Sequence, residues 1–452
     1  MTGIRLKRSF AEMSGLAWRS RTSICFSLAD QGCFSGANFV VNVLLVRWST
    51  RAEYGAFAVA FAWFLVAAGI HTALVNEPLS VLGPARYALS PIAYSRKIFT
   101  LHWIVSCGLG CVIALSSLLV HDRQLRGAMF ALGLWTPALL SYWVMRRIQY
   151  FRNAPRDAAL SSSLYLVLVT LALIGLKRHG ALDPETALAS MAGASLVTTA
   201  LGWVRMIGAK RESGPLGTTA ARLIAEHLRF GRSIAAGSAL TSFTSQLQLT
   251  VAAAVLGLGV AGSLRALTNL IQPMVQIMSA IGTAALPKMA RANASGGDRE
   301  LRRLGVNVFG AMIAGSAGYA IVLAAAGRPV VRLLYGSGFE HLETTVALLG
   351  LAPLCIALGE GYSLMLRAAQ LPIHKLWAAV AALAVGGGTA VPFMTRWGLT
   401  GAVWSSLVMY VSMWAATYVF YWRWVGSRPS DNRASAVTPC AESAPDPWQP
   451  TA

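Results

Sequence analysis

Read from the N-terminus, the chain alternates long apolar blocks with short polar or basic turns. Twelve blocks stand out, at 24–46, 54–76, 98–120, 126–145, 159–176, 186–206, 232–256, 263–285, 304–326, 342–366, 376–395 and 398–422. Each is close to the roughly 20 residues that a helix needs to cross the hydrocarbon of a bilayer. The pattern predicts an all-α integral membrane protein with about twelve transmembrane helices. The short alternating segments of a membrane β-barrel are missing.

Polar positions interrupt these blocks at helical spacing. In LRALTNLIQPMVQIMSAIGT, residues 264–283, Arg265, Asn269, Gln272, Gln276, Ser279 and Thr283 recur every three or four positions. At 100° per residue they stay within about 40° of Arg265. The first span carries Gln31, Ser35, Asn38 and Asn42, with Asp30 beside them, and the seventh carries Ser238, Thr241, Ser245 and Gln248. A single hydroxyl or amide in a span is ordinary interhelical contact, worth about 0.6 kcal/mol. Three continuous stripes instead predict the walls of one shared, hydrated cavity, with Pro273 as a bend in the eighth helix.

The stripes also relate the two halves of the chain. Gln31, Ser35 and Asn38 fall opposite Thr241, Ser245 and Gln248 at a constant offset, which predicts two pseudo-symmetric six-helix lobes around that cavity. The expected organisation is a cytoplasmic segment over 1–23, an N-lobe over 24–207, a linker over 208–231, a C-lobe over 232–424 and a disordered tail over 425–452. Within the linker, TAARLIAEHLRF predicts a short amphipathic helix lying on the membrane surface.

Composition enters through charge. The net charge of +20 on 452 residues suggests nucleic acid until the 38 Lys and Arg are placed. Most fall in the loops that share one side with the N-terminus. This positive-inside asymmetry puts both termini in the cytoplasm and accounts for the surplus without nucleic acid. The six cysteines, Cys25, Cys33, Cys107, Cys111, Cys355 and Cys440, have no His or carboxylate spaced to complete a metal site, so no metal and no cofactor is expected. His71 and His102 read as single packing imidazoles.

Ionisable groups inside spans are functional candidates by default. Asp30 has no basic neighbour on its own helix and is the leading candidate for ion or proton coupling. Glu360 is a second, although Arg367 lies seven residues on, along the same face. Glu77, beside Pro78 at a span end, reads as interfacial. Nucleotide-loop, zinc-protease and nucleophile-elbow motifs are absent from the sequence, and the protein is not expected to be an enzyme.

Several segments resemble the polysaccharide-transporter, or Wzx-type flippase, family of the multidrug/oligosaccharidyl-lipid/polysaccharide exporter superfamily. The opening LADQGCFSGANFVVNVLLVRWSTRAEYGAFAVAFAWF is similar to that family's polar-faced first helix, basic turn and Tyr-Gly start. ALPKMAR resembles the end of its eighth helix, VVRLLYGSGFEHLETTVALLGLAPL its turn into the tenth, and WGLTGAVWSSLV its start of the twelfth. The resemblance implies a monomer in the bacterial inner membrane. By alternating access it would move an undecaprenyl-diphosphate-linked oligosaccharide between leaflets, for exopolysaccharide, capsule or O-antigen assembly, beside membrane lipids and a polysaccharide polymerase and export machinery. Lipid II flippase relatives line the cavity with arginines. Arg265 matches one such position, while Arg47 and Arg51 lie near the turn that bears others.

On this reading Arg265 and Arg47 attract the pyrophosphate, and Asn269, Gln272, Gln276, Gln31, Asn38, Asn42 and Gln248 bind sugar hydroxyls. One rival is a cation-coupled drug or organic-cation antiporter of the same superfamily, which calls for an acidic cavity. The other is a membrane enzyme that polymerises glycans.

Overall fold

A computed structural model describes residues 2–208, 217–294, 298–336, 342–369, 371 and 373–426. Residues 427–452 of the expected tail and 209–216 of the expected linker lie outside the described residues, as do residues 337–341. The described chain forms helices α1 (Thr2–Trp48), α2 (Arg51–His71), α3 (Glu77–Arg86), α4 (Pro91–Ser116), α5 (Arg123–Phe151), α6 (Pro155–Arg178) and α7 (Pro184–Gly208). It continues with α8 (Ala220–Leu256), α9 (Leu258–Ala294), α10 (Asp298–Tyr335), α11 (Glu343–Leu349), α12 (Ala352–Ala368) and α13 (Ile373–Gly426). A π-helical turn, Thr72–Asn76, joins α2 to α3 into one rod. No strand occurs among the described residues.

Ten stretches among these residues are long and apolar enough to cross a membrane. The expected twelve are reconciled by two facts. In α1, Asp30, Gln31, Asn38 and Asn42 dilute the apolar run, so it is not among the ten. The last two spans form one helical run, α13, broken at Gly398, whose φ of 55° and ψ of −131° suit only a residue without Cβ.

Local signals set the helix starts. Thr50 caps α2 by accepting from the Glu53 amide while the Glu53 carboxylate accepts from the Thr50 amide, a complete capping box. Asp122 caps α5 through the Leu125 amide at 2.9 Å.

Packing sorts the helices into two lobes. In one, α1 lies on α6, α4 and α7 lie on α5, and α6 meets α7; in the other, α13 lies on α8 and α12, and α10 lies on α9 and α12. The rod α2 packs on α5 of the first lobe and on α8 and α9 of the second.

The linker differs from expectation. TAARLIAEHLRF forms no separate surface helix but supplies the first turns of α8, opened by Thr219, which accepts from the Arg222 amide at 3.3 Å. The physical reason is its apolar face, which finds protein in place of lipid: Leu223 and His227 are fully buried against the N-lobe. Glu226 pairs with Arg86 and accepts from Tyr87 Oη at 2.7 Å, and Tyr94 Oη lies 3.0 Å from His227 Nε2. Burial beside Glu226 pushes Tyr87 up to about 12. Burial pulls His227 down to about 4, with Glu226 opposing the shift.

Candidate transport cavity

The lobes close on each other at the end marked by the α1–α2 turn. There α2 and α9 cross with their backbones almost touching: a Cβ on Gly55 would fall 1.9 Å from the Leu258 carbonyl oxygen, and one on Gly262 2.5 Å from that of Arg51. Beside this crossing a hydrogen-bonded chain spans the lobes. Asn269 Nδ2 donates to Tyr54 Oη at 3.0 Å, and Tyr54 donates to Asn42 Oδ1 at 2.8 Å. All three side chains are buried, so the chain replaces water that each group would otherwise need. Tyr335 and Tyr319 tie α10 to the α9 carbonyls of Ala266 and Leu270.

From this seal the lobes diverge. Along α9, Leu264 and Asn269 are buried whereas Gln272, Gln276, Ser279 and Thr283 are exposed; along α1, Asn42 is buried and Gln31 exposed. Between them lies a cavity of about 840 Å³ whose floor is the seal. That volume falls within the range of pockets for drug-sized molecules, ~300–1,000 Å³.

Seven of the residues expected to bind cargo line it: Arg265, Asn269, Gln272, Gln276, Asn38, Asn42 and Gln248. Gln248 Nε2 donates to the Gly386 carbonyl at 3.2 Å, leaving its buried Oε1 unpartnered. Two expected residues do not line it. Arg47 is exposed at the far end of α1, beyond the seal, and Gln31 lies outside the wall, donating to Ser35 at 3.4 Å. The α1 stripe is longer than the stretch of α1 that faces the cavity.

Asp30 is also outside the cavity, 0% exposed on the back of α1. Arg146 of α5 grips it through Nε at 3.0 Å and Nη2 at 2.5 Å, and Tyr150 at 2.8 Å and Ser162 donate as well. The expectation of a free carboxylate came from its own helix; its partner comes from another. The Arg146 guanidinium also stacks 3.9 Å over the Phe34 ring, which forms part of the cavity wall.

Glu360 does line the cavity, held by Arg367 at 2.7 Å and by Lys375 of α13 at 3.6 Å. Lys375 was not anticipated, nor were Trp143, Tyr410 and Met413, apolar wall residues on helices without a polar stripe. His71 and His102 are not isolated: His71 Nε2 lies 3.0 Å from His102 Nδ1 in a buried contact between α2 and α4. Among the described residues no group of three metal-ligating side chains occurs.

The electrostatic balance of the wall follows. Glu360 is neutralised by its two cations, whereas Arg265 lies beside the Tyr54 hydroxyl, and no carboxylate pairs with it among the described residues. Its buried Nε has no partner. The floor of the cavity is therefore cationic.

No protein-family model and no curated protein sequence matches the chain. Solved structures do match in fold. A multidrug resistance MATE family transporter of the MOP superfamily, in an inward-facing conformation, superposes with a TM-score of 0.72 over 86% of this chain and 94% of that one, at 13% identity. An outward-facing structure of such a transporter gives 0.63 over 90% and 95%, also at 13% identity. A MOP superfamily transporter from Pyrococcus furiosus Vc1, described as having a binding pocket of reverse polarity that suggests a different function, gives 0.62 over 90% and 95% at 13% identity. The fold is thus that of the MATE-type transporters of the MOP superfamily: a multi-pass, all-helical membrane protein of two lobes around a central cavity.

Proposed function

We propose that the protein is an alternating-access exporter of drug-sized amphipathic organic molecules, with a preference for those carrying an acidic group. The MATE-type neighbours support the exporter, and they stand nearer to the drug-transporter reading of the sequence than to the lipid-linked-oligosaccharide one. The observation that carries the preference is Arg265, a guanidinium at the cavity floor that no carboxylate among the described residues neutralises. A guanidinium offers paired donors to carboxylate, sulfate or phosphate oxygens. Organic cations are disfavoured by the same charge, since Glu360, the carboxylate among the described wall residues, is already paired.

The loops beside the open end are the basic ones, so the cavity opens to the cytoplasm of a bacterial inner membrane. The higher TM-score with the inward-facing neighbour agrees with that assignment. Transport then requires the Asn42–Tyr54–Asn269 seal to part and the opposite end to close.

A lipid-linked oligosaccharide is the second reading. The amides of Asn38, Asn42, Gln272 and Gln276 around Arg265 suit a sugar-pyrophosphate head, with the prenyl tail left in lipid.

The test is uptake into inside-out vesicles that contain the purified protein. Carboxyfluorescein, an anionic dye, is expected to accumulate and ethidium, a cation, is not. The reverse selectivity overturns the proposal. Lipid-linked oligosaccharide trapped on the cytoplasmic leaflet of a deletion strain, with no dye transport, moves the assignment to the second reading.

A further inference from the structure

The mouth of the cavity carries a second cationic cluster, separate from the floor. On α12, Glu360 accepts from Arg367 Nη2 at 2.7 Å, and Lys375, at the start of α13, reaches the other carboxylate oxygen only at 3.6 Å. Two cations share one carboxylate, so the cluster keeps a net positive charge. The pairing is also incomplete: Lys375 lies beyond hydrogen-bond distance of Glu360, and the buried Nε of Arg367 has no partner.

The geometry puts this cluster far from Arg265. Helices α9 and α12 run the same way, from the seal toward the open end, and the Leu364 side chain lies 3.3 Å from the Cβ position of Gly282. Glu360, one turn before Leu364, is therefore level with about Met278, some 13 residues below Arg265. At 1.5 Å per residue the two levels are roughly 20 Å apart. One small anionic group cannot touch both, and a molecule rising from the mouth meets Lys375 first.

Resting on the assignment above, we propose that Lys375, with Arg367 behind it, is a capture subsite for the acidic group of an incoming substrate, which later passes to Arg265. Glu360 acts there as a displaceable internal competitor. It holds the two cations in place while the subsite is empty and weakens the subsite's grip on anions, so that the acidic group is released onward.

The substitutions have opposite expected signs, which a merely structural ion cluster does not produce. In inside-out phosphatidylcholine vesicles, Lys375→Gln raises the half-saturating concentration of carboxyfluorescein about tenfold and leaves the maximal rate within twofold. Glu360→Gln lowers the half-saturating concentration, because both cations are freed for the dye. Melting temperatures of both variants are measured alongside. If Lys375→Gln leaves half-saturation unchanged, or if Glu360→Gln raises it as Lys375→Gln does, the subsite is overturned. Adding phosphatidylglycerol separates free anions from lipid headgroups: inhibition that depends on Lys375, without any effect of Lys375 in pure phosphatidylcholine, assigns the cluster to lipid and overturns the proposal.

If the wild type transports no carboxyfluorescein, the functional assignment falls first. Anisotropy of the dye with detergent-solubilised protein then tests the subsite alone. Binding that weakens in Lys375→Gln supports it, and equal binding removes it.

Discussion

Tyr54 on α2 and Asn269 on α9 form a 3.0 Å hydrogen bond that joins the two lobes at the floor of the cavity. Because Tyr54 also donates to Asn42, one hydroxyl closes a chain of three helices. Tyr54→Phe leaves a buried amide oxygen and a buried amide nitrogen without partners, a cost of about 1–3 kcal/mol to the sealed state. The variant is expected to sample the state open at this end more often. In a cysteine-free background bearing Gln272→Cys, labelling from the opposite face by a membrane-impermeant maleimide should rise several-fold. Unchanged labelling means that the hydroxyl does not hold the seal.

The backbone crossing at Gly55 and Gly262 makes a stronger demand. A methyl on Gly55 would overlap the Leu258 carbonyl, and backbone does not yield as a side chain does. Gly55→Ala is expected to force α2 and α9 apart and to reduce dye transport at least tenfold, while the protein still inserts and purifies. Wild-type transport by Gly55→Ala would show that the lobes never close to this distance in the cycle.

The Asp30–Arg146 pair gives a different kind of test, since it lies outside the cavity. Arg146→Gln strands a buried carboxylate and should destabilise the protein by about 3–5 kcal/mol, read as a fall in melting temperature. The double variant Asp30→Asn/Arg146→Gln removes both charges, recovers much of that loss and retains transport. Loss of transport in the double variant, with stability restored, would return Asp30 to the role in ion coupling first expected of it.

These contacts mark where sequence reasoning stops. The apolar blocks and the stripes on α1, α8 and α9 are periodic signals within one helix, so the fold, the cavity and ten of its lining residues were legible. What decides Asp30 is Arg146, 116 positions away on a helix without a stripe. Whether two such groups meet depends on helix order and rotation, neither of which periodicity encodes. The contact between His71 and His102 and the approach of Lys375 to Glu360 were hidden for the same reason. Arg47 and Gln31 failed in the opposite way: periodicity gives the face of a helix, but not where along that face the cavity ends.

Where the first turns of α8 dock on the N-lobe, stability should depend on pH. Burial lowers His227 from 6.5 to about 4, with Glu226 opposing the shift. Below about pH 6.5 the unfolded chain takes up a proton that the folded protein refuses until about pH 4, so the unfolded state binds more protons in that window and stability falls as pH falls. Between pH 7 and 4.5 the melting temperature of His227→Gln should therefore drop less than that of the wild type. Parallel curves would place the acid sensitivity elsewhere.

The most direct measurement is carboxyfluorescein uptake into inside-out vesicles by the wild type, Arg265→Lys and Arg265→Gln at equal protein and equal melting temperature. Lysine keeps the charge but not the paired donors, so an intermediate rate is expected for Arg265→Lys. Arg265→Gln should fall at least tenfold and lose its discrimination against ethidium. If Arg265→Gln carries the anion as fast as the wild type, Arg265 is not the substrate's anchor and the anionic cargo assignment is wrong.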